Sequence, residues 1–249
     1  MSQDRRYVVG LIPARSGSKG VPHKNLREIQ GKSLLEWSIA ASVATSLITR
    51  TIVSTNSEQY AEVAKNAGAE IPFLRPEAIS SDTSTDKEFV LHALDFFDKE
   101  GKIPDLVVHL RPTTPFRDPQ VVNEAIQVAL LVGSRATAIR SVHVMSESAY
   151  KSFELGEDGR LVTVFTGLHA LDHANEARQT YPLTYSPNGY VDIIFPGYIR
   201  KSGNLHGDNV LPFITTDTIE IDGESDMEVA HAMITRKPEL FAILFGDSK

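Results

Sequence analysis

The chain is predicted to be an α/β protein, a three-layer α/β/α arrangement on a mostly parallel sheet. Three observations carry that expectation. Short β-branched runs alternate with amphipathic stretches of helical length from Tyr7 to Leu131, the pattern of strands joined by crossover helices. The first of these runs, Tyr7-Val-Val-Gly-Leu-Ile12, is continuously apolar rather than alternating, as expected of a strand covered on both faces. The bulk composition, 249 residues with 41% hydrophobic and 23% charged, is ordinary for a globular chain with material for a large core.

Taken in order, Tyr7-Val-Val-Gly-Leu-Ile12 reads as a buried strand. Ser33 is a candidate N-cap for a helix over Leu34–Ser42, whose Leu34, Leu35, Trp37 and Ile39 are assigned to the core. Thr51–Thr55 is a β-branched strand, Ser57–Ala67 a helix stopped by Gly68, and Ile71–Leu74 a brief strand. A second long helix is expected over Thr85–Lys99, a strand over Leu106–Leu110 and a helix over Pro119–Leu131. Ala136–Val144 looks like a strand. Periodicity then weakens from Ser146 to Pro182, with turn signals at Gly156 and Asp158-Gly159. Residues 145–182 are therefore read as an excursion within one domain spanning 1–249. The α/β pattern returns with strands over Tyr190–Phe195 and Thr216–Ile221 and a helix over Ser225–Arg236.

Thirty-two acids against 25 bases give a formal net charge of −7, which argues against a nonspecific nucleic-acid or anionic-membrane binder. The absence of cysteine excludes disulfides and thiolate metal sites. No signal-peptide pattern opens the chain, and no apolar run approaches the roughly 20 residues of a membrane span. A cytoplasmic protein is expected.

Against that acidic background, Arg15, Lys19, Lys24 and Arg27 lie within thirteen residues that contain no acid. They follow the first strand and include Ser16-Gly-Ser-Lys-Gly20. Small residues, backbone N–H groups and cations make a cradle for phosphates. Ligands of open α/β sheets bind at the carboxyl ends of strands, and Arg grips phosphate bidentately. Neither the dinucleotide fingerprint nor the P-loop motif is present, so a merely basic loop stands as the alternative.

The run Ile12-Pro-Ala-Arg-x-Gly-Ser-Lys-Gly-x-x-x-Lys-Asn25 resembles the opening motif of the CMP-sialic acid synthetases, the acylneuraminate cytidylyltransferases. The resemblance continues in order through Arg75-Pro, Ser81-Asp-Thr-Ser84, Arg111-Pro-Thr-Thr-Pro-Phe-Arg117, Arg178-Gln179, Asn188-Gly189 and Ile221-Asp222, over nearly the whole chain. It implies a Rossmann-like nucleotide-diphospho-sugar transferase fold. It also implies a reaction in which the anomeric hydroxyl of a nonulosonic (2-keto-3-deoxy sugar) acid attacks the α-phosphate of CTP, giving a CMP-sugar and pyrophosphate. By that similarity Arg15, Lys24 and Asp222 carry the chemistry. Ala14, Arg15, Ser18, Lys24, Asn25, Arg75, Ser84 and Thr85 hold the nucleotide, with Arg75 and Ser84-Thr85 at the cytosine edge. Arg111, Thr113, Arg178, Asn188 and Asp192 face the acceptor. The excursion makes a homodimer, through which Arg178 reaches a neighbouring active site.

Between residues 217 and 228, Asp217, Glu220, Asp222, Glu224, Asp226 and Glu228 form an acidic stretch without a base. On the predicted strand Glu220 and Asp222 share a face and can reach one cation. Mg²⁺ takes one or two carboxylates with phosphate oxygens and water. The resemblance places Mg²⁺ (or Mn²⁺) at Asp222, with Glu220 where the family commonly has Asp. Asp82 is a weaker candidate. For Glu224, Asp226 and Glu228 an acidic helix N-terminus suffices.

On the acceptor side the chain departs from the family pattern, with Arg111 where Gln is usual and Asp192 where an aromatic Tyr is common. Arg111 has two readings, a grip on the acid's carboxylate or a donor to a loop. Asp192 either meets an N–H group of the sugar or solvates a strand end. The departures leave the acceptor open, with legionaminate and 3-deoxy-octulosonate as alternatives to neuraminate. A catalytically inactive nucleotide-sensing protein is the alternative of another class. His169 and His173 have i, i+4 spacing but lack the metalloprotease Glu, and are read as surface histidines.

Overall fold

The computed structural model describes residues 6–17, 22–165, 171–216 and 218–246, with nothing said of the His173 side chain. Ser18, Lys19, Gly20, His169 and Asp217 lie outside the described residues. Ten strands occur among those described. β1 (Val8–Pro13), β4 (Arg50–Ser54), β5 (Leu106–His109), β6 (Ala138–Val144), β9 (Tyr185–Ile194) and β10 (Val210–Ile214) build the central sheet. The short pairs β2 (Glu28–Ile29) with β3 (Lys32–Ser33), and β7 (Phe153–Leu155) with β8 (Leu161–Thr163), stand apart.

The sheet order is β10-β6-β9-β5-β1-β4. β1 pairs parallel with β4 and β5, and β10 parallel with β6, whereas β9 runs antiparallel to both β5 and β6. The mostly parallel α/β sheet expected from the strand–helix alternation is therefore present, with one reversed strand at its centre. On β1, Val8 and Ile12 pack into the core formed with α1 (Leu34–Ala44), α2 (Glu58–Asn66) and α4 (Pro119–Val132). Val9 and Leu11 enter the opposite core with α3 (Asp86–Glu100) and α5 (Pro196–Ser202). That alternation of side chains across one strand creates the three layers. A third cluster joins Trp37, Phe116 and Ile221 to α6 (Glu224–Thr235) and α7 (Pro238–Phe245). α1 lies close against the sheet, since a Cβ on Gly10 would collide with the Ser42 hydroxyl.

Local chemistry sets the helix starts. Ser33 Oγ accepts from the Glu36 N–H while the Glu36 carboxylate accepts from the Ser33 N–H, a complete capping box for α1. Thr85 and Glu88 make the same arrangement for α3. Gly101, with φ +73°, ends α3.

Two expected strands are corrected. Ile71–Leu74 is not a strand, and a single bridge between Ile52 and Glu70 stands beside it. The described residues of Thr216–Ile221 form no strand, and β10 (Val210–Ile214) takes the edge instead. Glu220 and Asp222 consequently share no strand face. The excursion contains the β7–β8 hairpin, turning at Asp158-Gly159, and short 3₁₀ turns. Its base is clamped where β6 and β9 pair, from Val142 with Pro187 to Val144 with Tyr185.

Candidate active site

The parallel strands all end on one edge of the sheet, and a cleft of about 220 Å³ opens there, lined by residues that include Arg15, Lys24, Asn25, Arg75, Ser84, Thr85, Asp86, Phe89, Arg111 and Thr113. Residues from loops after β1 and β5 thus meet those leading into α3, although they are as much as 98 positions apart. The Ala14 N–H bonds to the Ser54 carbonyl and the Ser16 N–H to Asn56 Oδ1 at 3.0 Å. The first loop is thereby tied to the end of β4. Asn25 is buried and donates its amide to the Arg15 carbonyl at 3.2 Å.

The cations of the cleft are each held by a partner. Arg15 bonds Asp82 Oδ1 at 2.6 Å and the Gly17 carbonyl at 2.8 Å. Lys24 Nζ lies 3.0 Å from Asp222 Oδ1, and the Asp222 side chain is 75% exposed. Arg75 is buried, bonds the Ser54 hydroxyl and carbonyl, and stacks 4.9 Å over the Phe89 ring. Burial, assisted by Arg15, lowers its pKa to about 10 against the pull of Asp86, so it remains cationic at neutral pH.

Arg111 forms part of the cleft wall. One terminal nitrogen bonds Asp86 Oδ2 at 2.7 Å and the other bonds Asp192 Oδ2 at 2.9 Å. The two positions at which the chain leaves the family pattern are therefore partners in one ion pair. Asp192 is 1% exposed, sits opposite His109 on β5 and Arg140 on β6, and has His206 Nε2 at 3.9 Å. For Asp86, burial works to raise the carboxyl pKa, but His109 and Arg111 outweigh it and hold the group below its usual range. Asp86 was not singled out in the sequence because an acid in the first turn of a helix needs no further reason. Its position directly after Ser84-Thr85 is the only signal that could have marked it.

Arg117 is wholly buried beneath this wall. It donates to the carbonyls of Tyr190, Arg111 and Gly189 and to the Ser38 hydroxyl. It is a staple between the loop after β5 and the bulged start of β9. Burial lowers its pKa to about 9. Asn188 is also buried: its amide donates to Thr215 Oγ1 at 2.6 Å and its oxygen accepts from the Tyr190 N–H. Each polar end of Asn188 thus has a protein partner. The same burial applies to Asp192, whose carboxylate faces Arg111 rather than the cleft. Thr113 accepts the Ile221 N–H at its carbonyl, holding the acidic segment beside the cleft.

Ala14, Arg178, Asn188, Asp192, Glu220 and Asp222 stand outside the cleft lining. Arg178 is exposed in the excursion and donates to the Met145 carbonyl at 3.0 Å. Glu220 is exposed. Among the described residues no group of three or more His, Asp or Glu side chains is arranged to hold a metal. The Asp226 carboxylate accepts the N–H groups of Asp222 and Gly223, which lowers its pKa and makes it the cap of α6.

A model of the cytidylyltransferase family matches residues 9–155. The chain is 29% identical over 237 residues to CMP-N,N'-diacetyllegionaminic acid synthase of Legionella pneumophila, covering 93% of this chain and 98% of that one. It is 30% identical over 236 residues to N-acylneuraminate cytidylyltransferase of Escherichia coli, covering 94% of this chain but 53% of that longer protein. Among solved structures, CMP:2-keto-3-deoxy-manno-octonic acid synthetase complexed with CTP superposes with a TM-score of 0.67 at 15% identity, over 93% of this chain and 99% of that one. That last likeness is one of fold.

Proposed function

The chain belongs to the cytidylyltransferase family, and from that premise we propose that it transfers CMP from CTP to a nonulosonic acid, with release of pyrophosphate. The observation that carries this reading is the cleft at the strand ends, where Arg15, Lys24 and Arg75 converge in a chain of net charge −7. A triphosphate entering there exchanges the carboxylate partners of Arg15 and Lys24 for phosphate oxygens. The cations draw the polyanion in and neutralise charge on the leaving pyrophosphate. Arg75, fixed by Ser54 and backed by Phe89, stands beside Ser84 and Thr85 at the cytosine end.

Asp222 is the carboxylate that would hold Mg²⁺. It is exposed, lies beside Lys24 and is the donor type the ion takes. One carboxylate suits an ion that arrives with the triphosphate and keeps phosphate and water as its other ligands. When bound, Mg²⁺ would supply positive charge to the phosphates. Glu220, without the shared strand face, is assigned no direct contact. The excursion is assigned to a homodimer interface and the enzyme to the cytoplasm; among the described residues no helix is long and apolar enough to cross a membrane.

The test is pyrophosphate release from CTP, Mg²⁺ and, in turn, legionaminate, neuraminate, pseudaminate and octulosonate. Turnover with CTP and a nine-carbon acid, and none with UTP, is expected. CTP binding without turnover of any acceptor overturns the reading in favour of a nucleotide-sensing protein, and turnover of octulosonate alone reassigns the acceptor.

A further inference from the structure

Arg111 is the cleft cation furthest from free movement. Its backbone carbonyl accepts from Arg117, and its two terminal nitrogens are tied to carboxylates on two different elements, Asp86 at the start of α3 and Asp192 on β9. A guanidinium has five N–H donors, so these two bonds leave three. The Arg111 side chain is 19% exposed and that exposure opens on the cleft.

A long cationic side chain in a cleft that receives a triphosphate is pulled toward it. Arg15 and Lys24 already stand where the polyanion would lie. A second substrate that is itself an acid must enter beside the triphosphate and needs a cation of its own. Asp86 and Asp192 hold the Arg111 guanidinium in place against that pull.

We infer that Asp86 and Asp192 are positioning residues that reserve Arg111 for the carboxylate of the acceptor and keep it off the triphosphate. The inference rests on the reading that the second substrate is a sugar acid. Asp192 does this from a buried position and touches no substrate. Asp86 does it from the cleft wall, where its burial is less complete.

This arrangement has an asymmetric signature. Arg111→Gln removes a charge-assisted contact and should raise the acceptor KM by about tenfold or more, with the CTP Kd within about twofold of wild type. Asp192→Asn and Asp86→Asn free one end of Arg111. Each should raise the acceptor KM by several-fold while CTP, measured by calorimetry, binds as tightly as to wild type or more tightly. In the Arg111→Gln background neither Asn substitution should change the acceptor KM further. A residue that merely supports the fold would weaken both substrates together.

Asp192→Asn breaks a buried pair, so thermal melting accompanies each variant. Asp86→Asn, at the more exposed end, carries the test if Asp192→Asn does not fold. An unchanged acceptor KM in Arg111→Gln, or parallel losses of CTP and acceptor binding in Asp86→Asn, overturns the inference. If wild-type protein turns over no sugar acid, the functional reading fails first. The calorimetric arm then still decides the pinning of Arg111: unchanged or tighter CTP binding in Asp86→Asn supports it and weaker binding overturns it.

Discussion

His109 is an unusual residue to find at the end of a buried strand. It is wholly buried, and neither ring nitrogen has a hydrogen-bond partner. Its ring stands edge-on to Phe89, 5.2 Å away between centroids. Burial, reinforced by Arg111, lowers its pKa to about 3 despite Asp86 and Asp192. The unfolded chain binds this proton near pH 6.5, whereas the folded chain refuses it until about pH 3. Between those values the unfolded state carries the extra proton, so stability is full above pH 6.5 and falls as pH drops. The slope is at most about 1.4 kcal/mol per pH unit from this group. His109→Phe should cost little at pH 7, because two unpaired polar atoms leave the interior, and should flatten the loss of melting temperature between pH 6.5 and 4. An unchanged pH slope in that variant would assign the acid sensitivity elsewhere. No sequence reading found this residue, since a His within Leu-Val-Val-His-Leu is indistinguishable from an ordinary strand position. Arg15 and Lys24, in contrast, are legible as cleft residues because cations among small residues after a strand have few other uses, whereas Arg75 is legible only through the family resemblance. Arg117 belongs to the Arg111–Arg117 motif, but its burial under four oxygen atoms is invisible in the sequence, because three of those partners sit 72 or more positions away.

At the scale of elements, the strands were legible wherever a continuous apolar run was followed by a capped helix, as at β1, β4 and β5. They failed where proline intervened. Pro212 interrupts the run Val210-Leu-Pro-Phe-Ile214, yet β10 is an edge strand bonded only to β6, the position at which proline is tolerated. Ile71–Leu74 differs in the opposite sense: it carries Pro72, and the segment does not join the sheet. The bulge in β9 is a third feature that periodicity misses. Register with β6 shifts between Arg140 and Val142, and Gly189 adopts φ +64°, a left-handed conformation typical of a bulge glycine. A Cβ there would lie 3.0 Å from Thr114 Oγ1. The bulge also presents the Gly189 carbonyl to Arg117. Gly189→Ala should therefore cost roughly 1–2 kcal/mol in urea unfolding, from the left-handed backbone penalty alone. The acceptor KM should rise more than the CTP KM, because β9 and not the first loop is displaced. Equal stability of the variant would mean the bulge relaxes without strain.

Over the whole molecule, the excursion stands outside the cleft lining of its own chain. Its apolar side chains point outward: Leu155 is 74% exposed and Phe165 55%, and Tyr150 stacks on Phe165 with centroids 4.3 Å apart. A two-stranded hairpin such as β7–β8 is marginal alone, and apolar surface of this kind marks an association site. Weak periodicity in the sequence is the excursion's legible trace, because a segment that leaves its own core need not follow that core's period. If Arg178 acts in the site of a neighbouring copy, two inactive proteins must be able to repair each other. Asp222→Ala lacks the proposed metal carboxylate and Arg178→Ala lacks the residue donated across the interface. In a two-fold dimer of mixed chains, one site receives both defects and the other receives neither. Random reassortment of equal amounts places half the dimers in the mixed state, so about one quarter of wild-type turnover should return. Sedimentation of wild type at twice the chain mass must accompany that recovery. Turnover that stays at the level of the separate variants, with reassortment verified by mass, would place Arg178 outside any shared site and leave the excursion as a contact surface without a role in the chemistry.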